Sequence, residues 1–132
     1  MVAIPAEIIE LISAKETVKL LVTSSSDGQP HAIVCGSIFA TPEGKAGVGE
    51  ILMKRAAKNL KETGKAALSI VAGPKSYELI LENPERDDSG PVFTDMKMKM
   101  AAMNLPCFAV WTFDVVEIWD ESAGPNAGTK LC

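Results

Sequence analysis

The segment at residues 107–119 constrains the fold more than any other part of the sequence, because it predicts a long strand with two apolar faces. One face would carry Phe108, Val110, Thr112, Asp114, Val116 and Ile118. The other would carry Cys107, Ala109, Trp111, Phe113, Val115, Glu117 and Trp119. An antiparallel strand usually leaves one face polar, so this one needs cover on both sides. One face can fill a barrel, and for the other we favour a second copy of the chain over one of its own helices.

Turn signals divide the rest of the chain into short strands. Asp27-Gly28 is a strong hairpin signal, and a second turn is predicted at residues 41–44. Together with the segment above, the predicted strands are residues 18–23, 30–40, 45–48, 66–72, 77–81 and 107–119. Short strands joined by such turns are antiparallel, and six of them with few helices indicate a barrel or a sandwich.

Three short helices are predicted between these strands, at residues 5–14, 50–63 and about 94–103. In the third, Met96, Met100 and Met103 share a face, which favours core packing. Residues 83–91 are predicted to form a polar loop. We expect a single domain over residues 1–132, with a helical N-terminal part at 1–16 and an extended or loose tail at 120–132.

Composition excludes several classes of function. The net charge is −4, whereas nucleic-acid proteins usually present a basic face. No apolar segment is long enough to span a membrane, and the start of the chain lacks the basic leader of a signal peptide. The three cysteines lack metal-type spacing, and His31 is the only histidine, so no metal site is predicted. These features favour a cytoplasmic protein with reduced thiols.

The segment at residues 49–59 is the best candidate for binding a ligand. A strand of small residues ending at Gly49 runs into a predicted helix start, followed by Lys54 and Arg55. A helix start offers free N–H groups and partial positive charge, and arginine can bind a phosphate through two hydrogen bonds. The alternative is a solvated basic helix face. Gly36 lies within a predicted strand, where glycine marks either close approach of a ligand or a β-bulge. No carboxylate pair or Ser–His–Asp set is present, so no catalytic residue is predicted.

Three stretches, taken in order and spacing, resemble a known family. They are residues 20–23 with 27–31, the small-residue strand leading to Lys54 and Arg55, and residues 59–68. Over residues 7–119 the chain resembles the FMN-binding split-barrel family, the superfamily of pyridoxamine 5′-phosphate oxidase. The resemblance implies a mostly β fold with short helices, built as a six-stranded antiparallel split β-barrel of Greek-key type. It also implies a homodimer with FMN in clefts at the subunit interface.

The same resemblance implies roles for ten residues. The strand segment along the isoalloxazine ring would comprise Ile33, Val34, Cys35, Gly36 and Ser37. The residues beside the ring and ribityl chain would be Gly49, Glu50 and Ile51. The phosphate would be held by Lys54 and Arg55. Asn59 is predicted to pack the helix rather than to bind the ligand.

The implied function is that of an FMN-dependent oxidoreductase or an electron-transfer flavoprotein, with no substrate indicated. The alternative is a non-enzymatic module that binds haem, a deazaflavin or pyridoxal phosphate. The flavin itself carries the redox chemistry in such proteins, so the lack of a catalytic constellation agrees with either function. Oxidation of pyridoxamine phosphate itself is not indicated, because the further basic and aromatic residues that hold pyridoxal phosphate have no counterpart here.

Overall fold

A computed structural model describes all 132 residues, which form eight strands and three helices. The helices are α1 (Ala6–Ser13), α2 (Lys54–Thr63) and α3 (Pro91–Ala101). The strands are β1 (Val18–Ser24), β2 (Pro30–Val34), β3 (Ile38–Ala40), β4 (Ala46–Gly49), β5 (Ala66–Ala72), β6 (Lys75–Asp87), β7 (Val110–Asp120) and β8 (Thr129–Lys130). None of the three helices has the length and apolar character that crossing a membrane requires.

The strands form one curled antiparallel sheet in the order β2-β1-β5-β6-β7-β4-β3, with β8 added beside β7. The outermost strands of this path, β2 and β3, are consecutive in the chain and only residues 35–37 separate them. The sheet must therefore curl until its two ends approach each other, which makes a half-barrel. This confirms the predicted mostly β, antiparallel fold.

The predicted number of six strands is wrong, because seven strands lie on the path and β8 is an eighth. The strand predicted at residues 30–40 is two strands with different partners, since β2 pairs with β1 and β3 pairs with β4. The tail also contributes, because Thr129 and Lys130 pair with Asp120 and Trp119. The sequence carries no local signal for either difference, the division of residues 30–40 between two partners or the pairing of the tail with β7.

Two element boundaries differ from prediction for backbone reasons. Most of the loop predicted at residues 83–91 belongs to β6, and its turn-forming residues make a register shift between Glu82 and Glu85 instead of a loop. Asn83 has a φ of 53° there. The second helix begins at Lys54 rather than at residue 50, because Leu52 adopts a left-handed φ of 52° that an α-helix cannot contain.

The core fills the inside of the curled sheet. A helix packs against it at each end of β1. Its fully buried side chains are Ile8, Ile12, Leu21, Val48, Leu68, Ile70, Leu79, Phe113, Val115 and Ile118, with Val110 buried separately beneath α3. α1 lies at the end of β1 where Lys19 meets Ile12, and α2 lies at the other end, where Asn59 meets Thr23. The apolar residues that recur along the strands and along α1 and α2 are therefore the ones that fill this core.

Part of the outer face of β7 is covered by the chain itself. Val110 packs with Phe93 and Cys107, and Met96 and Met100 of α3 pack against this cluster. Met103 lies beyond the end of α3 and is mostly exposed, so its predicted core role is wrong. A register shift between Ile80 and Leu81 also moves Ile118 into the same core as Val115, although strict alternation separates them. Cover by a second copy stays a prediction for the remainder of this face.

Candidate cofactor-binding site

Hydrogen bonds fasten α2 to the end of β1. The Asn59 side-chain amide donates to the Thr23 hydroxyl at 3.0 Å, and both residues are buried. The Thr63 hydroxyl donates to the carbonyl of Ser24, also at 3.0 Å. Ala56, Ala57 and Leu60 complete the buried face of the helix. Asn59 is therefore a packing residue, and the first turn of α2 is held in a fixed position relative to the sheet.

The start of α2 carries unsatisfied donors and unpaired charge. Met53 precedes the helix without capping it, and the N–H groups of Lys54, Arg55 and Ala56 have no acceptor within the chain. Lys54 and Arg55 are both exposed, and neither belongs to any of the chain's ion pairs. Free helix N–H groups beside two cations form a donor set that suits a phosphate.

The two cations open onto different cavities, because consecutive residues point about 100° apart around a helix. Lys54 lines a groove of about 760 Å³, the α2 groove, which is lined by Glu50, Leu52, Met53, Lys54, Ala57, Lys58, Lys61, Glu62, Arg86, Pro106 and Phe108. Arg55 lines a polar pocket of about 310 Å³ together with Ser25, Asp27, Gln29, Lys58 and Asn59. Lys58 borders both cavities. The predicted pair of phosphate ligands therefore straddles the helix start.

The α2 groove combines apolar walls with a cationic rim. Leu52 and Phe108 are large apolar side chains that are 75% and 58% exposed. Lys54, Lys58 and Lys61 follow one another at helical spacing along the rim. Lys58 is partly neutralised by Glu62, at 4.0 Å. Such a surface suits a flat, apolar ligand that carries negative charge.

An ionic network around the buried Glu50 forms one end of the α2 groove. The Glu50 carboxylate accepts hydrogen bonds from Arg86 Nε at 3.0 Å and from Arg86 Nη2 at 3.2 Å. It also accepts one from the indole N–H of Trp111 at 2.8 Å. The backbone of Glu50 is held as well, because its N–H donates to Ala109 and its carbonyl accepts from Phe108.

This network keeps Glu50 ionised. Burial alone would raise the pKa of its carboxyl, but the hydrogen bonds from Arg86 and Trp111, with the Arg86 charge, outweigh burial and lower that pKa. The same contact raises the pKa of Arg86. An anionic carboxylate with three donors already in place is a structural acceptor and not a general acid at neutral pH.

The two glycines of β4, Gly47 and Gly49, leave space that neighbouring side chains of the protein occupy. A Cβ atom on Gly47 would overlap the ring of Phe39, so the aromatic ring covers this residue. A Cβ atom on Gly49 would lie 2.9 Å from Cδ1 of Ile51 and 3.1 Å from Cγ of Met96. Ile51 itself packs against the cluster beneath α3. Of the three residues predicted beside the ring and ribityl chain, only Glu50 borders the α2 groove.

The segment predicted along the ring lies mostly elsewhere. Val34, Cys35 and Gly36 line a cavity of about 390 Å³ at the end of β1 opposite α2. Ile33 packs against the core, and the Ser37 hydroxyl donates to the carbonyl of Gly49 at 3.2 Å. Within one chain these residues do not share a cavity with Lys54 or Arg55, and their contact with a flavin ring stays a prediction.

Sequence reasoning missed the partners of Glu50 and part of the groove rim. Arg86 lies in a region predicted to be a loop, and its partner Glu50 is far away in the sequence, so no local pattern joins them. Trp111 was predicted only as part of an apolar strand face. The rim could have been found, because Lys58 and Lys61 lie four and seven residues after Lys54 and so share its side of the helix.

Comparison with known proteins identifies the fold. No protein-family model matches the sequence, and no curated protein is significantly similar to it. Among solved structures, HupZ from Group A Streptococcus has a TM-score of 0.78 at 20% identity, covering 95% of this chain and 99% of that one. An FMN-binding protein from Syntrophomonas wolfei subsp. wolfei has a TM-score of 0.77 at 19% identity, covering 90% and 89% of the two chains.

A candidate pyridoxamine 5′-phosphate oxidase from Lactobacillus delbrueckii is also similar, with a TM-score of 0.72 at 19% identity and coverage of 89% and 93%. More distant structures with this fold include the heme storage protein HutZ from Vibrio cholerae, with a TM-score of 0.66, and an F420 reductase, with a TM-score of 0.61. The fold therefore accommodates several cofactors. By its strand order and these similarities, the chain has the split-barrel fold of the FMN-binding and pyridoxamine 5′-phosphate oxidase-like proteins.

Proposed function

We propose that this protein binds FMN and acts as an oxidoreductase or an electron-transfer flavoprotein. One observation carries the proposal: the start of α2 presents three N–H groups without acceptors and two unpaired cations, Lys54 and Arg55, beside an apolar groove. A phosphate group fits the first feature and a flat ring system fits the second. The shared fold with an FMN-binding protein supports the choice of ligand.

In this proposal Lys54, Arg55 and the first turn of α2 hold the phosphate. The exposed side chains of Leu52 and Phe108 supply an apolar surface for the ring, and the Glu50–Arg86 pair fixes the end of the groove. The flavin would supply the redox chemistry, and the chain would orient it and limit its contact with water. No acid or base from the protein is required, which agrees with the engagement of Glu50 in a structural network.

We also propose that two copies of the chain combine to enclose the flavin. The α2 groove is open on one side, and its two largest apolar side chains, Leu52 and Phe108, are more than half exposed. A second copy covering them would remove apolar surface from water and exclude solvent from the ring. Light scattering coupled to size-exclusion chromatography tests this, and a monomer in the presence of saturating FMN would overturn it.

The phosphate role is tested by comparing FMN with riboflavin, which lacks the phosphate. Arg55→Ala should weaken FMN binding roughly ten-fold, as expected for loss of a charge-assisted contact, and should leave riboflavin binding nearly unchanged. Quenching of flavin fluorescence measures both affinities. Lys65→Ala removes an exposed cation just beyond the opposite end of α2, outside both cavities, and serves as the control. Equal losses for both ligands would contradict the phosphate role.

A haem-binding module is the second candidate, favoured by the similarity to the heme storage protein HutZ. His31 is the only histidine of the chain, and it lies half-buried on β2, opposite Thr23. It is the one imidazole that could bind a haem iron. The absorption spectrum after addition of each cofactor separates the candidates: flavin bands with bound FMN support the first, and a Soret band that His31→Ala removes supports the second.

A further inference from the structure

The α2 groove carries an excess of positive charge. The charged side chains that line it are four cations and two carboxylates, namely Lys54, Lys58, Lys61, Arg86, Glu50 and Glu62. Both carboxylates already have a cation of the groove as partner, because Glu50 pairs with Arg86 and Glu62 pairs with Lys58. The lining therefore keeps a net charge of +2, in a chain whose overall net charge is −4.

Lys61 is the part of this excess that a flavin phosphate does not use. Lys54 and Arg55 together match the charge of one phosphate group, which is about −2 at neutral pH. Lys61 follows Lys54 by seven residues, so it leaves the helix on nearly the same side but about 10.5 Å further along the axis. It is exposed and belongs to none of the chain's ion pairs. Its charge helps to lower the pKa of Glu50, which agrees with an ammonium group near the Glu50 end of the groove.

The side chain of Arg86 lies on the groove side of β6. Arg86 pairs with Trp111 across β6 and β7, and residues paired in this way have side chains on the same face. Its neighbours Glu85 and Asp87 lie on the opposite face, because side chains alternate along a strand. Arg86 and Trp111 both donate to the carboxylate of Glu50, which borders the groove. The guanidinium is therefore directed toward the Glu50 end of the groove.

Arg86 is held in place, yet it has donors to spare. A guanidinium has five N–H groups. Glu50 accepts from Nε and from Nη2, and Asp88 accepts from Nη1 at the longer distance of 3.4 Å. One N–H therefore remains on each terminal nitrogen of a side chain that is 31% exposed. Two donors on neighbouring nitrogens of a planar group match the two oxygens of a carboxylate.

We propose that Arg86 and Lys61 form a second anion subsite in the α2 groove, and that it binds the carboxylate of a small organic acid. Arg86 supplies donors in a fixed orientation, and Lys61 supplies the positive charge that nothing in the chain balances. The inference rests on the proposed function, for which it names the substrate class as organic acids. Both residues then determine specificity, because a neutral amide of the same shape would lack the charge that they recognise.

The test is isothermal titration calorimetry of the full chain with sodium benzoate, and with benzamide as a neutral probe of nearly the same shape. Benzoate should bind roughly ten-fold more tightly than benzamide, because only benzoate carries the charge that strengthens its hydrogen bonds. Both titrations are made at the same ionic strength, set with sodium chloride. Equal affinities for the two probes, or no binding of benzoate, would overturn the proposal.

Variants connect benzoate binding to the two residues. Lys61→Gln is the decisive one, because Lys61 is exposed and has no partner whose loss could disturb the fold; benzoate affinity should fall roughly five-fold and benzamide affinity should stay the same. Lys65→Gln removes an exposed lysine outside the groove and should change neither. Arg86→Lys keeps a charge beside Glu50 but loses the planar fork, so it should also weaken benzoate roughly five-fold. Unchanged benzoate affinity in Lys61→Gln or Arg86→Lys, or an equal loss in Lys65→Gln, contradicts the assignment.

The same titrations with FMN present separate this inference from the proposed function. Benzoate binding to the FMN-loaded protein, with the same response to Lys61→Gln, supports both. If FMN does not bind, the proposed function fails, and the titration without FMN still decides whether the carboxylate subsite exists. If saturating FMN abolishes benzoate binding, Lys61 and Arg86 belong to the flavin site and the second subsite is overturned.

Discussion

Two charged side chains are buried in this protein, and their surroundings differ. Glu50 accepts three hydrogen bonds, two from Arg86 and one from Trp111, and so has a counter-ion and fixed partners. Lys19 donates one hydrogen bond to a carbonyl and has no counter-ion, and the nearby hydroxyl of Thr17 has no partner at all.

The difference teaches how unequally two buried charges can contribute to stability. A buried charge with a counter-ion and fixed hydrogen bonds holds in place the elements that carry its partners. A buried charge without a counter-ion is desolvated with no opposite charge to offset the cost. The first should be costly to remove, and the second should cost little to replace with an apolar side chain.

The largest expected effect is that of Glu50→Ala. The substitution leaves the buried Trp111 N–H without its acceptor and leaves Arg86 only its contact with Asp88, so the expected loss in free energy of unfolding is about 1 to 3 kcal/mol. Urea unfolding measures it. Glu62→Ala, which removes only an exposed partner of Lys58, should change stability by less than about 0.5 kcal/mol. Similar values for the two variants would remove the distinction drawn above.

Acid should weaken the same network by a smaller amount. The pKa of Glu50 is lowered in the folded protein, so its contribution is present above the unfolded value of 4.5 and is lost as the pH falls through the lower folded value. Stability measured between pH 6 and 3 should therefore decline less steeply in Glu50→Gln than in the wild type. Parallel curves would show that Glu50 does not contribute to acid sensitivity.

A matched pair of threonines gives the next effect. Thr23→Val removes the acceptor of the buried Asn59 amide and should cost about 1 to 2 kcal/mol. Thr17→Val, six residues earlier and just before β1, removes a buried hydroxyl that has no partner and should cost less than about 0.5 kcal/mol. The comparison is made by urea unfolding in a buffer free of carboxylates and phosphate. A larger cost at Thr17 would indicate an internal partner.

The smallest change is expected from Lys19→Met in the same buffer. Removing a buried cation relieves its desolvation, which offsets loss of the hydrogen bond to Ile12, and the net change should lie within about 1 kcal/mol of zero. A loss comparable to that of Glu50→Ala would show that the hydrogen bond from Lys19 to Ile12 outweighs the cost of burying the cation.

Local chemistry predicted the fold better than the site. The turn at Asp27-Gly28, the alternating strands and the basic start of α2 are all encoded within a few residues, and each appears in the structure. The division of residues 30–40 into two strands, and the inclusion of Asn83 in β6, depend on which distant strand each half meets. Short-range patterns carry no information on such partners.

The site shows the same limit. Lys54 and Arg55 were predicted to hold one phosphate together, but their side chains point in different directions around the helix and line two different cavities. Arg86 reaches Glu50 only because β6 runs past the predicted loop and lies beside β7. Thr17 and Lys19 have no unusual sequence context, and their significance appears only when burial and hydrogen-bond partners are known for each atom.

The strand order also has a consequence for how the chain folds. The β3–β4 hairpin lies in the first half of the sequence. Within the sheet, β4 joins the other strands only through β7, which follows all three helices in the sequence. Until β7 is in place, the hairpin has no strand partner in the rest of the sheet, and β4 and β6 both present open strand edges. We expect the pairing of β4 with β7 to be a slow, late step in folding, because bringing distant segments together costs loop entropy before the stabilising contacts form.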